Sequence, residues 1–231
     1  MPWIELEGAA NVRDLGGLVT QDGGETVAGR LLRGDNLQEL SPSDVATLVG
    51  DIGLTTVVDL RSTAELVSEG PAPLDAVTAV QHAHHPILSE QGLATDVVGD
   101  VLLAQDRDER DRYRYPADPL CGHYLGYLED RPDQVVALAL TAVGVRPQDV
   151  VADYAATGER IAGIVERLRR SPIYAADINS RPAEQHRPRP QTMTAFLDQV
   201  RARYGGATRW LAGHGFGRAD LDRLHAKLRR P

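Results

Sequence analysis

One cysteine, Cys121, and one lysine, Lys227, stand in 231 residues. A lone cysteine cannot close an intrachain disulfide, so no oxidised framework holds the fold and the cytosol is the default compartment. No apolar run approaches the roughly 18 residues that span a bilayer. The opening MPWIELEGAANVRD has neither the basic n-region nor the apolar h-region of a signal peptide. A soluble, cytoplasmic chain is the expectation. Basic charge is also in deficit, 25 residues against 33 acidic ones, for a net charge of −8. That balance argues against nucleic acid or an anionic membrane surface as the main partner, while leaving room for a local basic pocket for phosphate. No internal repeat, Gly-x-Ser-x-Gly elbow or nucleotide-binding glycine loop is present.

What is there is an ordinary globular composition, 42% apolar, enough for a sizeable core. ETVAGRLLR (25–33) reads as a short strand between glycine turns. Ser41-Pro42 supplies an N-cap and a first-turn proline, and Val45, Leu48, Val49 and Ile52 carry helical spacing to Gly53. LTTVVDLR (54–61) is β-branched and almost continuously apolar, as in a parallel strand buried on both faces. Ser62 and Thr63 then cap a helix, and VTAVQHAHHPIL (77–88) reads as a second strand stopped by Pro86. Residues 89–117 suggest an amphipathic helix and a charged surface loop, and 118–143 look helical with a break at Arg131-Pro132. A helix is expected over 149–170, and little helix in SPIYAADINSRPAEQHRPRPQ (171–191). Met193, Phe196, Leu197, Val200 and Tyr204 form a helical stripe ended by Gly205-Gly206, and Leu221, Leu224 and Leu228 mark a last helix.

Strands alternating with helices predict an α/β fold, a parallel sheet flanked by helices with a helical C-terminal cap. The expected organisation is one domain over 1–231: an α/β core over 1–170, a proline-rich connector over 171–190 and a helical part over 191–231. Sites in such sheets lie at the carboxyl ends of the strands, which marks Arg61 and the turn after His85.

NVRDLGG (11–17), GRLLRGDNL (29–37), the Ser-Pro helix and VVDLRSTAE (57–65) together resemble the bacterial tyrosine/serine phosphatases of the atypical, lipid-phosphatase-like group, to which the mycobacterial phosphatase B is related. AVGVRPQDVVADY (142–154) resembles the segment after that family's catalytic helix, and TMTAFLDQVRARYGGATRWL (192–211) its C-terminal helices. The resemblance covers nearly the whole chain in the family's order. It implies a cysteine-phosphatase-like fold, no cofactor, and a phosphoprotein or phosphoinositide substrate. It also implies a loop of the form His-Cys-x-x-Gly-Lys-Asp-Arg-Thr-Gly, whose backbone N–H groups cradle phosphate and lower the thiol pKa. The thiolate attacks phosphorus, and the Arg grips two oxygens bidentately.

This sequence has no such loop. Leu120 precedes Cys121 in place of His, and Tyr127 stands where the Arg is required. Cys121 moreover lies in PLCGHYLGYLED, which resembles the helix before the catalytic strand, so it reads as a small buried apolar residue. Asp133-Gln-Val-Val-Ala-Leu runs straight into the end of the catalytic helix. A strand of about five or six residues, the phosphate loop and a first helical turn are absent together. Three explanations stand: the natural protein carries the loop and this sequence omits it, the protein is a degenerate relative, or its function has moved elsewhere. Losing four buried strand side chains, at about 1.5–3 kcal/mol each, forfeits on the order of 6–12 kcal/mol, against a whole-domain stability of about 5–15 kcal/mol. That comparison favours omission.

The remaining candidates are rim residues and a histidine cluster. Arg13 and Asp14 are placed to buttress a catalytic loop or to hold a turn. Asp59 and Arg61 fit a site rim at a strand end, or a helix cap. Relatives carry a general-acid Asp after the strand that ends at Pro86; here the turn reads Pro-Ile-Leu-Ser-Glu, leaving Glu90 as the candidate carboxyl. His82, His84 and His85 lie in QHAHH, and His82 and His84 share a strand face. With an acidic partner they would suit zinc, but no partner stands at a recognisable spacing and no metal is expected. The readings carried forward are a phosphatase family member inactive as this chain is written, a non-catalytic phosphatase-like binding or scaffold protein, and a metal-dependent hydrolase using the histidines.

Overall fold

The computed structural model describes residues 2–86, 137–171, 174–180 and 182–230. In chain order the elements are β1 (Arg13–Asp14), β2 (Leu32–Arg33), α1 (Pro42–Ala46), β3 (Thr56–Asp59), α2 (Thr63–Glu69), β4 (Gln81–His84), α3 (Ala137–Ala142), α4 (Pro147–Ala156), α5 (Ile161–Leu168), α6 (Ala175–Ser180), α7 (Pro190–Tyr204), α8 (Ala207–Gly213) and α9 (Arg218–Leu228). The chain is mixed α/β with a small parallel sheet and helices at its C-terminus. Two compact units are formed, one by the described residues of 1–16, 28–95 and 157–187, the other by those of 17–27, 96–156 and 188–231.

In the first unit β1 pairs antiparallel with β2, Arg13 opposite Arg33. Only Leu32–Arg33 of the expected strand 25–33 is a strand, because Gly29 adopts φ 71° and turns the chain just before it. Ser41 caps α1 in a reciprocal box with Asp44, with Pro42 in the first turn. Asp44 also accepts backbone bonds from Glu7 (2.9 Å) and Gly8 (2.8 Å), tying the N-terminal segment to the helix. One wider π-helical turn, Thr47–Asp51, follows and stops before Gly53 at φ 77°. Ser62 caps α2 through Glu65 in the same manner. The glycines of NVRDLGG have separate reasons. A β-carbon on Gly16 would lie 2.3 Å from Ala28 Cα, whereas Gly17 holds φ 76° in open space.

β3 and β4 pair in parallel, Thr56 opposite Gln81 through Asp59 opposite His84. Thr55 and Asp59 carbonyls accept from Gln81 N (2.8 Å) and His85 N (2.7 Å). The parallel pairing follows the sequence expectation; burial on both faces does not. Val58 is 48% exposed, because the parallel sheet has two strands among the described residues. An aliphatic core of Ala9, Val12, Leu40, Leu48, Leu74 and Val80 lies beneath. A second cluster, Ile161, Val165 and Ile178, joins α5 to α6. Two expectations fail here. The helix over 149–170 is broken into α4 and α5 by a 3-10 turn, Thr157–Glu159, where a β-carbon on Gly158 would meet Arg187 Cγ at 3.0 Å. The connector contains α6 and a 3-10 turn, Ala183–His186: Pro182 sits outside both, so it punctuates local helix rather than forbidding it.

In the second unit α7 packs on α4 and α8 on α3. The expected stripe is its core: Met193, Phe196 and Val200 are buried with Leu138, Leu140, Val143, Trp210 and Leu228. Gly205 closes α7 in the left-handed conformation at φ 75°. Arg229 ties the last residues back, donating from Nη2 to both oxygens of Asp22 at 2.6 Å and to Thr20 at 3.3 Å. His225 Nε2 donates to the Ala142 carbonyl (3.1 Å). Among the described residues no helix is long and apolar enough to cross a membrane.

Candidate functional site

β3 ends in Asp59 and the chain turns immediately, because Asp59 Oδ1 accepts from the Arg61 backbone N–H at 3.0 Å. That turn brings the Arg61 side chain back onto the same carboxylate. Nε donates to Oδ1 (3.0 Å) and Nη2 to Oδ2 (2.6 Å), a bidentate fork. His84 stands opposite Asp59 in the register, and its Nε2 donates to the Arg61 carbonyl at 2.8 Å. Strand pairing and a two-residue turn thus gather Asp59, Arg61 and His84 at the carboxyl ends of β3 and β4. Burial pushes the Asp59 carboxyl up. The hydrogen bonds from Arg61 and the neighbouring charges of Arg61 and His84 outweigh it and hold the group below the usual carboxylate range.

These residues line a cavity of about 880 Å³ in the first unit. Its wall is mainly apolar, with Leu37, Val58, Leu66 and Leu168 prominent. Two of its lining residues carry a buried polar atom with no hydrogen-bond partner among the described residues: Arg61 Nη1, a donor, and Gln38 Oε1, an acceptor. The other end of Gln38 is anchored, Nε2 donating to the Gly70 carbonyl at 3.2 Å. None of the described lining residues is Cys, Ser or Thr, and the Asp59 carboxylate is spent on Arg61. With Nε and Nη2 committed to Asp59, Arg61 keeps one unpartnered donor nitrogen, the buried Nη1, and no free fork.

The sequence-expected residues fall in different places. Asp59 and Arg61 are at the cavity; Arg13 and Asp14 do not line it. Consecutive in β1, these two face opposite sides. Arg13 is 1% exposed, donating from Nη1 to Asn11 Oδ1 (2.6 Å) and from Nη2 to Thr157 Oγ1 (3.1 Å), with its guanidinium 5.0 Å from the Trp3 ring centre. Asp14 organises the next turn, accepting from Gly16 N (2.9 Å) and Gly29 N (2.7 Å). Glu90 and Cys121 lie outside the described residues. His82 and His84 share a face, but both ring nitrogens of His82 and Nε2 of His84 are engaged. His82 Nε2 is 3.2 Å from the Leu74 carbonyl and Nδ1 3.2 Å from Asp75. Among the described residues no three His, Cys, Asp or Glu side chains stand together as a metal site requires. Gln38 escaped sequence reasoning. Its signal, a glutamine inside GDNLQEL, is indistinguishable from an ordinary loop residue until the cavity is seen.

A model of the tyrosine phosphatase family matches residues 4–133 and 129–230, two stretches that meet at 129–133. No curated protein matches the chain. The two stretches together take in nearly every residue, and the chain belongs to the tyrosine phosphatase family.

Proposed function

We propose that this chain is a tyrosine/serine protein phosphatase of the bacterial, lipid-phosphatase-like kind whose phosphate loop is absent from the sequence as written. The natural protein then hydrolyses phosphomonoesters of a phosphoprotein or phosphoinositide through a Cys thiolate in that loop. The observation that carries this reading is the interruption at 129–133. The two family matches meet there, where Asp133–Leu138 runs directly into the remnant of the catalytic helix. The parallel sheet, two-stranded among the described residues and with Val58 half exposed, supports it, because a two-stranded parallel pair falls short of what holds a sheet together. Cys121 is a bystander in this reading: no Arg follows it at the required spacing, so nothing stabilises a thiolate or grips phosphate. The chain as written is expected to turn over no p-nitrophenyl phosphate, with Cys121→Ser leaving that result unchanged. Turnover that vanishes in Cys121→Ser would overturn the reading.

One observation favours a second reading, a non-catalytic phosphatase-like binding protein. The cavity lined by Asp59, Arg61 and Gln38 has a largely apolar wall and no Cys, Ser or Thr among its described residues.

A further inference from the structure

The hairpin of residues 18–27 lies between two other stretches of the second unit and is held to each by a pair of backbone bonds. On one side Gln21 N donates to the Gly144 carbonyl (2.8 Å) and Arg146 N to the Val19 carbonyl (3.0 Å), flanking an antiparallel bridge of Thr20 with Val145. On the other, Val27 N donates to the Leu228 carbonyl (2.9 Å) and Arg230 N to the Glu25 carbonyl (3.3 Å), flanking a bridge of Thr26 with Arg229. His225 joins the two outer stretches through its bond to the Ala142 carbonyl. A lone hairpin is marginal in water, so the three pieces depend on one another. Thr20, Thr26, Val143 and Val145 are buried at this junction, and its ionic contact lies on the rim. Asp22, at the hairpin tip, is 64% exposed, and Arg229, 16% exposed, reaches along the hairpin to it. Arg229 Nη2 donates to both carboxylate oxygens at 2.6 Å, and Thr20 Oγ1 donates to Oδ1 at 2.6 Å. The bond from Arg229 first, and then that from Thr20, holds the Asp22 carboxyl well below the usual carboxylate range.

We propose that the Arg229–Asp22 contact is an ionic latch. It fastens the 228–230 segment along the hairpin, and its release opens that segment, the hairpin and the α3–α4 corner (142–146) as one local step while the rest of the second unit stays folded. Because the carboxylate is exposed, ionic strength sets how often the latch opens. The latch stands without the phosphatase reading. Where that reading holds, α3 is the remnant of the catalytic helix, and the latch fixes the end of that helix far from the phosphate loop.

The test is residue-resolved hydrogen exchange of the full chain as wild type, Arg229→Met and Asp22→Asn. The junction amides are Gln21, Val27, Val145 and Arg146, and the interior of α7 is the reference. Either substitution is expected to speed all the junction amides together, at least about fivefold for the loss of a charge-assisted hydrogen bond, with α7 unchanged. Raising salt from about 0.05 M to about 1 M is expected to speed the same amides about twofold in the wild type and to leave Arg229→Met unmoved, since screening acts on the ion pair. Acceleration confined to Val27 and Arg230 would show a segment that frays without the corner, and equal acceleration of α7 a general loss of stability; either overturns the proposal. So does a salt response that is absent in the wild type or survives in Arg229→Met. Asp22→Asn, at an exposed site, carries the test if Arg229→Met does not fold. None of these outcomes touches the family reading, which stands or falls on turnover.

Discussion

Replacing Arg61 by Met, Asp59 by Asn, and then both, separates a structural pair from a free anion-binding arginine. The two side chains are joined by Nε–Oδ1 and Nη2–Oδ2 contacts of 3.0 and 2.6 Å and are 21% and 24% exposed. An exposed pair is worth about 0–1 kcal/mol, and breaking a fully buried one costs about 3–5 kcal/mol. A pair this well aligned but partly wet falls between, so Arg61→Met is expected to cost about 2 kcal/mol and the coupling across the cycle to be about 1–1.5 kcal/mol. Urea melts of the four proteins give these numbers from midpoint shifts at constant slope. The pH dependence has a definite sign. Asp59 is held below its ordinary value, which is about 3.9 in an unfolded chain. Its contribution is therefore complete above that value and is lost as pH falls through the folded pKa. Wild type and Asp59→Asn should differ steadily from neutral pH down to about 4 and converge below it. A coupling under about 0.3 kcal/mol, within the range of additive sites, would mean that the fork is not formed in solution, and the assignment of Arg61 as a positioned residue with one free donor would fail.

Three further outcomes follow from the same geometry. Asp44→Ala strands the N–H groups of Ser41, Glu7 and Gly8; with Gly8 buried and the others partly wet, thermal and urea melts should show a loss of about 3 kcal/mol, and a loss under 1 kcal/mol would deny the staple. Gly16→Ala forces a β-carbon onto the Ala28 backbone and is expected to cost about 3 kcal/mol or more, against about 1–2 kcal/mol for Gly17→Ala, which meets only the φ penalty; melts that rank them in reverse would contradict the packing. Leu74→Ala, at 0% exposure in the core, should cost about 2–5 kcal/mol by the same melts.

The sequence carried the local grammar of the fold well. Ser41-Pro42 and Ser62 mark real caps because capping is decided within four residues, and the Met193–Val200 stripe is a core because periodicity and burial agree in a long helix. β3 was legible as a parallel strand, but its burial was not: exposure of Val58 depends on which strands lie beside it, and composition does not report a strand's neighbours. The break between α4 and α5 was hidden for a similar reason, since Thr157 and Gly158 are poor helix formers only mildly, and the close approach of Arg187 is a tertiary fact. At the site, Asp59 and Arg61 were visible by their place at a strand end. Their bidentate lock, the His84 bond to the Arg61 carbonyl, and the orphaned Gln38 oxygen all depend on a turn angle and a strand register.

The most direct measurement is mass spectrometry of the tryptic peptides of the protein purified from its source. In the sequence as written Arg131 and Arg146 both precede proline, so trypsin releases Tyr115–Arg160 as one piece. A phosphate loop between Asp133 and the catalytic-helix remnant brings its own Lys and Arg and cuts that piece apart. The expected result is that the contiguous Tyr115–Arg160 peptide is absent and that two shorter peptides flank a segment containing His-Cys and an Arg six residues after the Cys. Recovery of the intact Tyr115–Arg160 peptide would contradict the phosphatase reading and leave the binding one.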